Sequence, residues 1–114
     1  MRLVVNIQDW LDEKGRPERH LRRRVLRLAR LIEYGGPMRV DTWRETLVEC
    51  SRRPMGVACD GLLWVTKRVD DLIEAWCPLC RGEQIYISGW QSTDWAAGPM
   101  VPEPMDARPI ELAN

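Results

Sequence analysis

Apolar side chains recur at spacings of four, three and four along Leu21, Val25, Leu28 and Ile32, which is one apolar stripe on an α-helix. The pattern predicts a helix over residues 17–34. It follows the polar turn of residues 12–17, whose Pro17 can occupy the first helical turn. Arg19, Arg23, Arg27 and Arg30 recur at similar spacings on the opposite face. Gly35-Gly36-Pro37 predicts the stop, with Gly supplying a left-handed cap and Pro preventing continuation.

A period of two predicts strands elsewhere. Residues 2–8 are rich in β-branched residues, with Leu3, Val5 and Ile7 on one face. Residues 42–50 alternate and read as a strand, with a short helix as the competing reading. Residues 62–67 form a strand, 69–71 a turn, and 72–77 a strand by virtue of their short length and terminal Cys. A turn at 81–83 leads to a strand at 84–88. From Gly98 onward the prolines Pro99, Pro102, Pro104 and Pro109 predict an extended or disordered tail over 99–114. The implied fold class is α+β, in one domain over residues 1–98. An N-terminal strand and basic amphipathic helix (1–37) pack beside a three-stranded antiparallel sheet (within 42–98).

Four cysteines give this fold its chemistry: Cys50, Cys59, and the tight pair Cys77-Pro78-Leu79-Cys80. No run of 18 apolar residues is present, and Asp9 interrupts the N-terminus too early for a signal-peptide apolar region. The expected compartment is the cytoplasm, where four thiols read as ligands of one tetrahedral metal site and not as two disulfides. The order of loop, hairpin, CxxC and strand is that of a zinc ribbon. Zinc is the default ion and iron the alternative. The eight residues between Cys50 and Cys59 form a loop and not a knuckle, so Cys50 is the least regular ligand. The rival reading of Cys77 and Cys80 is a thiol–disulfide redox pair. Such pairs place the nucleophilic Cys at a helix N-terminus, whereas here a β-rich run follows. His20, on the basic helix, reads as a surface residue.

Charge is balanced in total but not along the chain: residues 1–35 carry +4, 36–68 carry +2 and 69–114 carry −6. The helix arginines suit nucleic-acid phosphates, an acidic partner surface, or the chain's own acidic stretch at Asp70, Asp71, Glu74 and Glu83. A solvated face is the fourth reading. Arg52 and Arg53, between the first two cysteines, suit an anion or simple compensation of a thiolate-rich site. Near-neutral total charge counts against a dedicated nucleic-acid binder. With six Trp and no Phe, Trp90 and Trp95 read as cover for a small core alongside Trp64 and Trp76, with base stacking as the other reading.

The segments 8–13, 31–37 and 49–54 resemble a group of small uncharacterised bacterial proteins with a four-cysteine core. So do Cys59-x-Gly61-Leu62, Cys77-Pro78-x-Cys80 and the run from Trp90 through Met100. The group's pattern often has a longer, more basic loop between its first two cysteines. The resemblance implies the four-cysteine set and no substrate. Neither a Ser/His/Asp set nor a phosphate-binding Gly loop nor a carboxylate pair is evident, and there is one His to act as a base. The sequence therefore points to a non-enzymatic, cytoplasmic binding module holding one structural zinc. A protein partner stands ahead of nucleic acid.

Overall fold

The computed structural model describes residues 2–99. In chain order the elements are β1 (Arg2–Asn6), α1 (Arg22–Gly35), β2 (Trp43–Glu49), β3 (Leu62–Lys67), β4 (Ile73–Trp76) and β5 (Gln84–Ser88). Short 3-10 turns lie at Ile7–Trp10, Arg19–Leu21 and Pro54–Gly56. The expected tail falls, after Pro99, outside the described residues.

The strands form one five-stranded sheet in the order β1-β5-β4-β3-β2. β2, β3, β4 and β5 pair antiparallel in succession, while β1 runs parallel to β5. The mixed α+β class is therefore as expected. The expectation of a three-stranded sheet with the N-terminal strand packed beside it is corrected, because that strand belongs to the sheet. The physical reason is continuity of one apolar row. Leu3 and Val5 stand beside Ile85 and Ile87 in register, so β1 extends the buried face of β5. A parallel neighbour needs a long crossover, which the chain supplies through α1 and the other strands.

Helix α1 covers one face of the sheet. Val25, Leu28, Leu31 and Ile32 meet Leu63, Val65, Ile73, Ala75, Ile85 and Ile87 in a single buried cluster. The apolar stripe thus packs as its spacing predicts. Both helix ends differ from the expectation. The α-helix starts at Arg22 and not at residue 17, because Pro17 bridges Leu11 and the Glu18 amide donates to the Trp10 carbonyl, holding that stretch extended. At the other end Gly36 is right-handed (φ −55°), so no left-handed cap forms. What the site requires is close approach: a Cβ at Gly36 would collide with the Ala96 carbonyl oxygen.

The other sheet face carries no layer among the described residues. Alternation that buries Leu63, Val65 and Ala75 sends Trp64 and Trp76 to this outer face, together with Trp43 and Tyr86. The reading that Trp64 and Trp76 cover the core is thereby overturned, whereas Trp90 is buried and Trp95 packs against the core. The Trp90 indole N–H donates to the Asp71 carbonyl at 2.7 Å.

Ile32 is fully buried and Val4 is 68% exposed. Ile32→Ala is expected to cost about 2–5 kcal/mol, and Val4→Ala under about 0.5 kcal/mol. Urea denaturation of the two variants checks this contrast.

Candidate metal centre

Cys50 follows the last residue of β2, Cys59 closes the loop before β3, and Cys77 and Cys80 span the turn between β4 and β5. Because β2, β3, β4 and β5 are successive neighbours, these loops share one end of the sheet. The sequence order alone puts all four thiols there.

The four sulfurs lie within 4.8 Å of one another. Cys50 Sγ is 3.6 Å from Cys80 Sγ, and Cys59 Sγ is 3.7 Å from Cys77 Sγ. Tetrahedral zinc with Zn–S bonds of about 2.3 Å sets its ligand sulfurs about 3.8 Å apart, so the donor set fits that ion. No pair is at disulfide distance, and all four are free cysteines. The four-cysteine set is brought together as a unit, Cys50 included. His20 is exposed and stands outside it.

Backbone amides prepare three of the sulfurs for negative charge. Arg52 N–H donates to Cys50, Gly61 N–H to Cys59 and Gly82 N–H to Cys80, at 3.3–3.4 Å. Each donor lies two residues after its cysteine, so each loop turns sharply around its own sulfur. Cys80 feels this most. The Gly82 amide, against some desolvation, holds its thiol down to about 7. Burial pushes the Cys50 thiol up. The cluster also leaves no space at Gly61, where a Cβ would stand 2.5 Å from Cys77 Sγ.

A second centre, which the sequence reading held only as one of several partners for the helix arginines, abuts the first. Glu83 is fully buried three residues after Cys80. Arg27 Nη1 and Nη2 donate to its two carboxylate oxygens at 2.8 and 2.9 Å. The Ser51 amide and hydroxyl donate to the same two oxygens at 2.9 and 2.8 Å. Arg27 Nη2 also donates to the Glu49 carbonyl at 2.6 Å. Burial alone would push the Glu83 carboxyl up. Arg27 and Ser51 outweigh it, and the group is held below the usual carboxylate range.

Among the roles read for Arg27, the chain's own acidic stretch is the one it takes. It does not belong to a solvent- or partner-facing stripe, since it turns inward and clamps α1 to both cysteine loops. Of the intramolecular acidic partners considered, Glu83 is the one it takes. Asp70 and Glu74 pair with Arg68 instead. Arg19, Arg23 and Arg30 are exposed and make no ion pair among the described residues. Arg52 lies against Gly82 at the Cys80 turn, placing a cation beside the thiols, while Arg53 donates to the Gly56 carbonyl within its own loop.

No protein-family model, curated protein or solved structure matches this chain. Among the described residues, no helix is long and apolar enough to cross a membrane.

Two substitutions separate the centres. Gly61→Ala is expected to weaken metal retention by displacing Cys77, as measured by competition with a chromophoric chelator. Arg27→Ala leaves Glu83 buried without its counter-charge and is expected to cost about 3–5 kcal/mol in denaturant melts. Arg27→Lys should restore only part of this, since an ammonium cannot donate to both oxygens in the same fork geometry.

Proposed function

We propose that the chain is a small, non-enzymatic binding module of the bacterial cytoplasm, stabilised by one structural zinc on Cys50, Cys59, Cys77 and Cys80. Its task is to hold an acidic protein partner. The observation that carries the metal reading is the closed set of four sulfurs within 4.8 Å, with amide donors on three of them. Four thiolates complete a tetrahedral shell and leave no position for a reacting water, which is the arrangement of a structural and not a catalytic zinc. The hairpin and knuckle order resembles a zinc ribbon, here with β1 added to one edge. Such a site contributes about 10–16 kcal/mol of apparent folding free energy, above the whole stability of many small domains.

The partner reading is supported by the face of α1 turned away from the sheet. Arg23 and Arg30 are exposed there, and Arg19 in the 3-10 turn just before it, without acidic partners among the described residues. Leu26, 42% exposed, lies on the same helix beside a shallow groove that Arg30 and the exposed Leu47 of β2 also line. Apolar positions among unpaired guanidinium groups fit an acidic amphipathic segment, the helix-in-groove mode with charge complementarity. Nucleic acid is the second reading, favoured by the same arginines; the exposed Leu26 and Leu47 have no use in binding phosphates. A redox role for Cys77 and Cys80 would leave Cys50 and Cys59 unexplained in a cluster that contains them.

Native mass spectrometry is expected to find one zinc per chain. Cys50→Ser should weaken zinc retention, and chelation should unfold the sheet as followed by far-UV circular dichroism. Fluorescence anisotropy against an Asp/Glu-rich amphipathic peptide and a single-stranded oligonucleotide then tests the partner. Binding of the peptide, lost in Arg23→Glu/Arg30→Glu, is the expected outcome. Preferential, steeply salt-dependent binding of the oligonucleotide would replace it with the second reading.

A further inference from the structure

The outer face of the sheet reads as a pattern. Neighbouring strands in register place Arg2, Gln84, Trp76, Trp64 and Glu45 in one row across β1, β5, β4, β3 and β2. The adjacent row is Val4, Tyr86, Glu74, Thr66 and Trp43. Val4 and Trp43, at opposite edges, are 68% and 50% exposed. Trp43 reaches inward to meet Trp76 edge-to-face with centroids 4.0 Å apart, and Trp64 lies 6.3 Å from Trp76. Three adjoining indoles on a sheet face that no other described residues cover as a layer are more apolar surface than scattered exposed residues account for.

The charges on these rows identify what covers it. Arg2 and Glu45 stand at opposite ends of one row, and neither makes an ion pair among the described residues. β4 is the central strand of five. A two-fold axis along β4, in the plane of contact, lays β1 of one copy over β2 of the other. In register, the Arg2 position then lies opposite Glu45 of the second copy, twice, and the Val4 position opposite that of Trp43, twice, with the Trp43 ring reaching toward the axis. Trp76 meets its own counterpart at the axis. Glu74 also faces its counterpart, but each is accompanied by Arg68 at 3.8 Å, which offsets the like charges. An isologous contact requires this self-complementarity.

We propose that this face binds a second copy of the same chain, closing two five-stranded sheets into a sandwich across a two-fold axis along β4. Sheets packed this way keep their strands within about 30° of alignment, which preserves the facing rows. The face measures about 24 by 15 Å from strand spacing and rise. That is smaller than the about 800 Å² per partner of a standard interface, so the dimer is reversible and concentration-dependent. The proposal rests on the sheet face alone and is independent of what α1 holds.

Sedimentation equilibrium of the zinc-loaded full chain, from about 1 to about 500 µM, spans the relevant range. A monomer–dimer equilibrium is expected. Arg2→Glu and Glu45→Arg should each weaken it at least tenfold, and the double reversal should restore it. Both substituted positions are exposed, and zinc content with circular dichroism reports whether the fold of each of the three variants is intact. Should a variant misfold, dilution of the unmodified protein gives a second readout, an indole emission shift to the red as Trp43 and Trp76 regain water. A monomer throughout the range overturns the proposal and leaves the face to a different partner. A dimer indifferent to the single reversals, or one that the double reversal does not rescue, also overturns it.

Discussion

A single buried carboxylate constrains how this molecule is assembled. Glu83 has no access to water, and an ionised carboxylate in that position needs donors for its lone pairs. Four arrive: two from Arg27 on the helix and two from Ser51 beside Cys50. Helix, β2 exit and β4–β5 turn are thereby fixed to one another at a point adjoining the sulfurs. The two centres divide the task. A metal ion on the four sulfurs would draw the loops together but would place no demand on the helix. The carboxylate cannot be left unpaired, and so it holds the helix to the loops in one orientation.

That division also explains the asymmetry of the sheet. The helix supplies one apolar stripe and covers one face, where Leu63, Val65, Ile73, Ala75, Ile85 and Ile87 of β3, β4 and β5 are buried against it. The aromatic residues of the strands are sent outward by the same alternation. Trp64 and Tyr86 each stand between two inward aliphatic neighbours and Trp76 between buried Ala75 and Cys77, so a strand cannot bury both sets without a second layer. Within the described residues only one layer is supplied.

Local pattern carried the strands β3, β4 and β5, the helical stripe and the grouping of four cysteines, because each depends on spacings within a few residues. The outward placement of Trp64 and Trp76 was also legible, since Leu63, Val65 and Ala75 set the opposite parity in the same strands. Amino-acid type, which favours Trp as core, obscured it. Three features were not legible. The parallel pairing of β1 with β5 joins residues more than 80 positions apart with no turn to announce it. The late start of α1 depends on the Leu11–Pro17 bridge, which holds the residues before the helix in extended form. The Arg27–Glu83 pair spans 56 residues, and nothing in the run of arginines distinguishes the one that turns inward.

The position of Arg27 shows why it differs from its neighbours. It lies between Val25 and Leu28, both buried, at the edge of the apolar stripe, while Arg23 and Arg30 fall on the exposed side. A long side chain at such a boundary can run its stem along the core and deliver its charged end to the rim. Here the rim is the β2 exit, and Glu83 meets the guanidinium there. Helix arginines that look equivalent in sequence therefore differ: one is structural, and those without acidic partners among the described residues stay at the surface. Counting the run as a uniform basic face overstates its charge toward a partner by the one cation already neutralised inside.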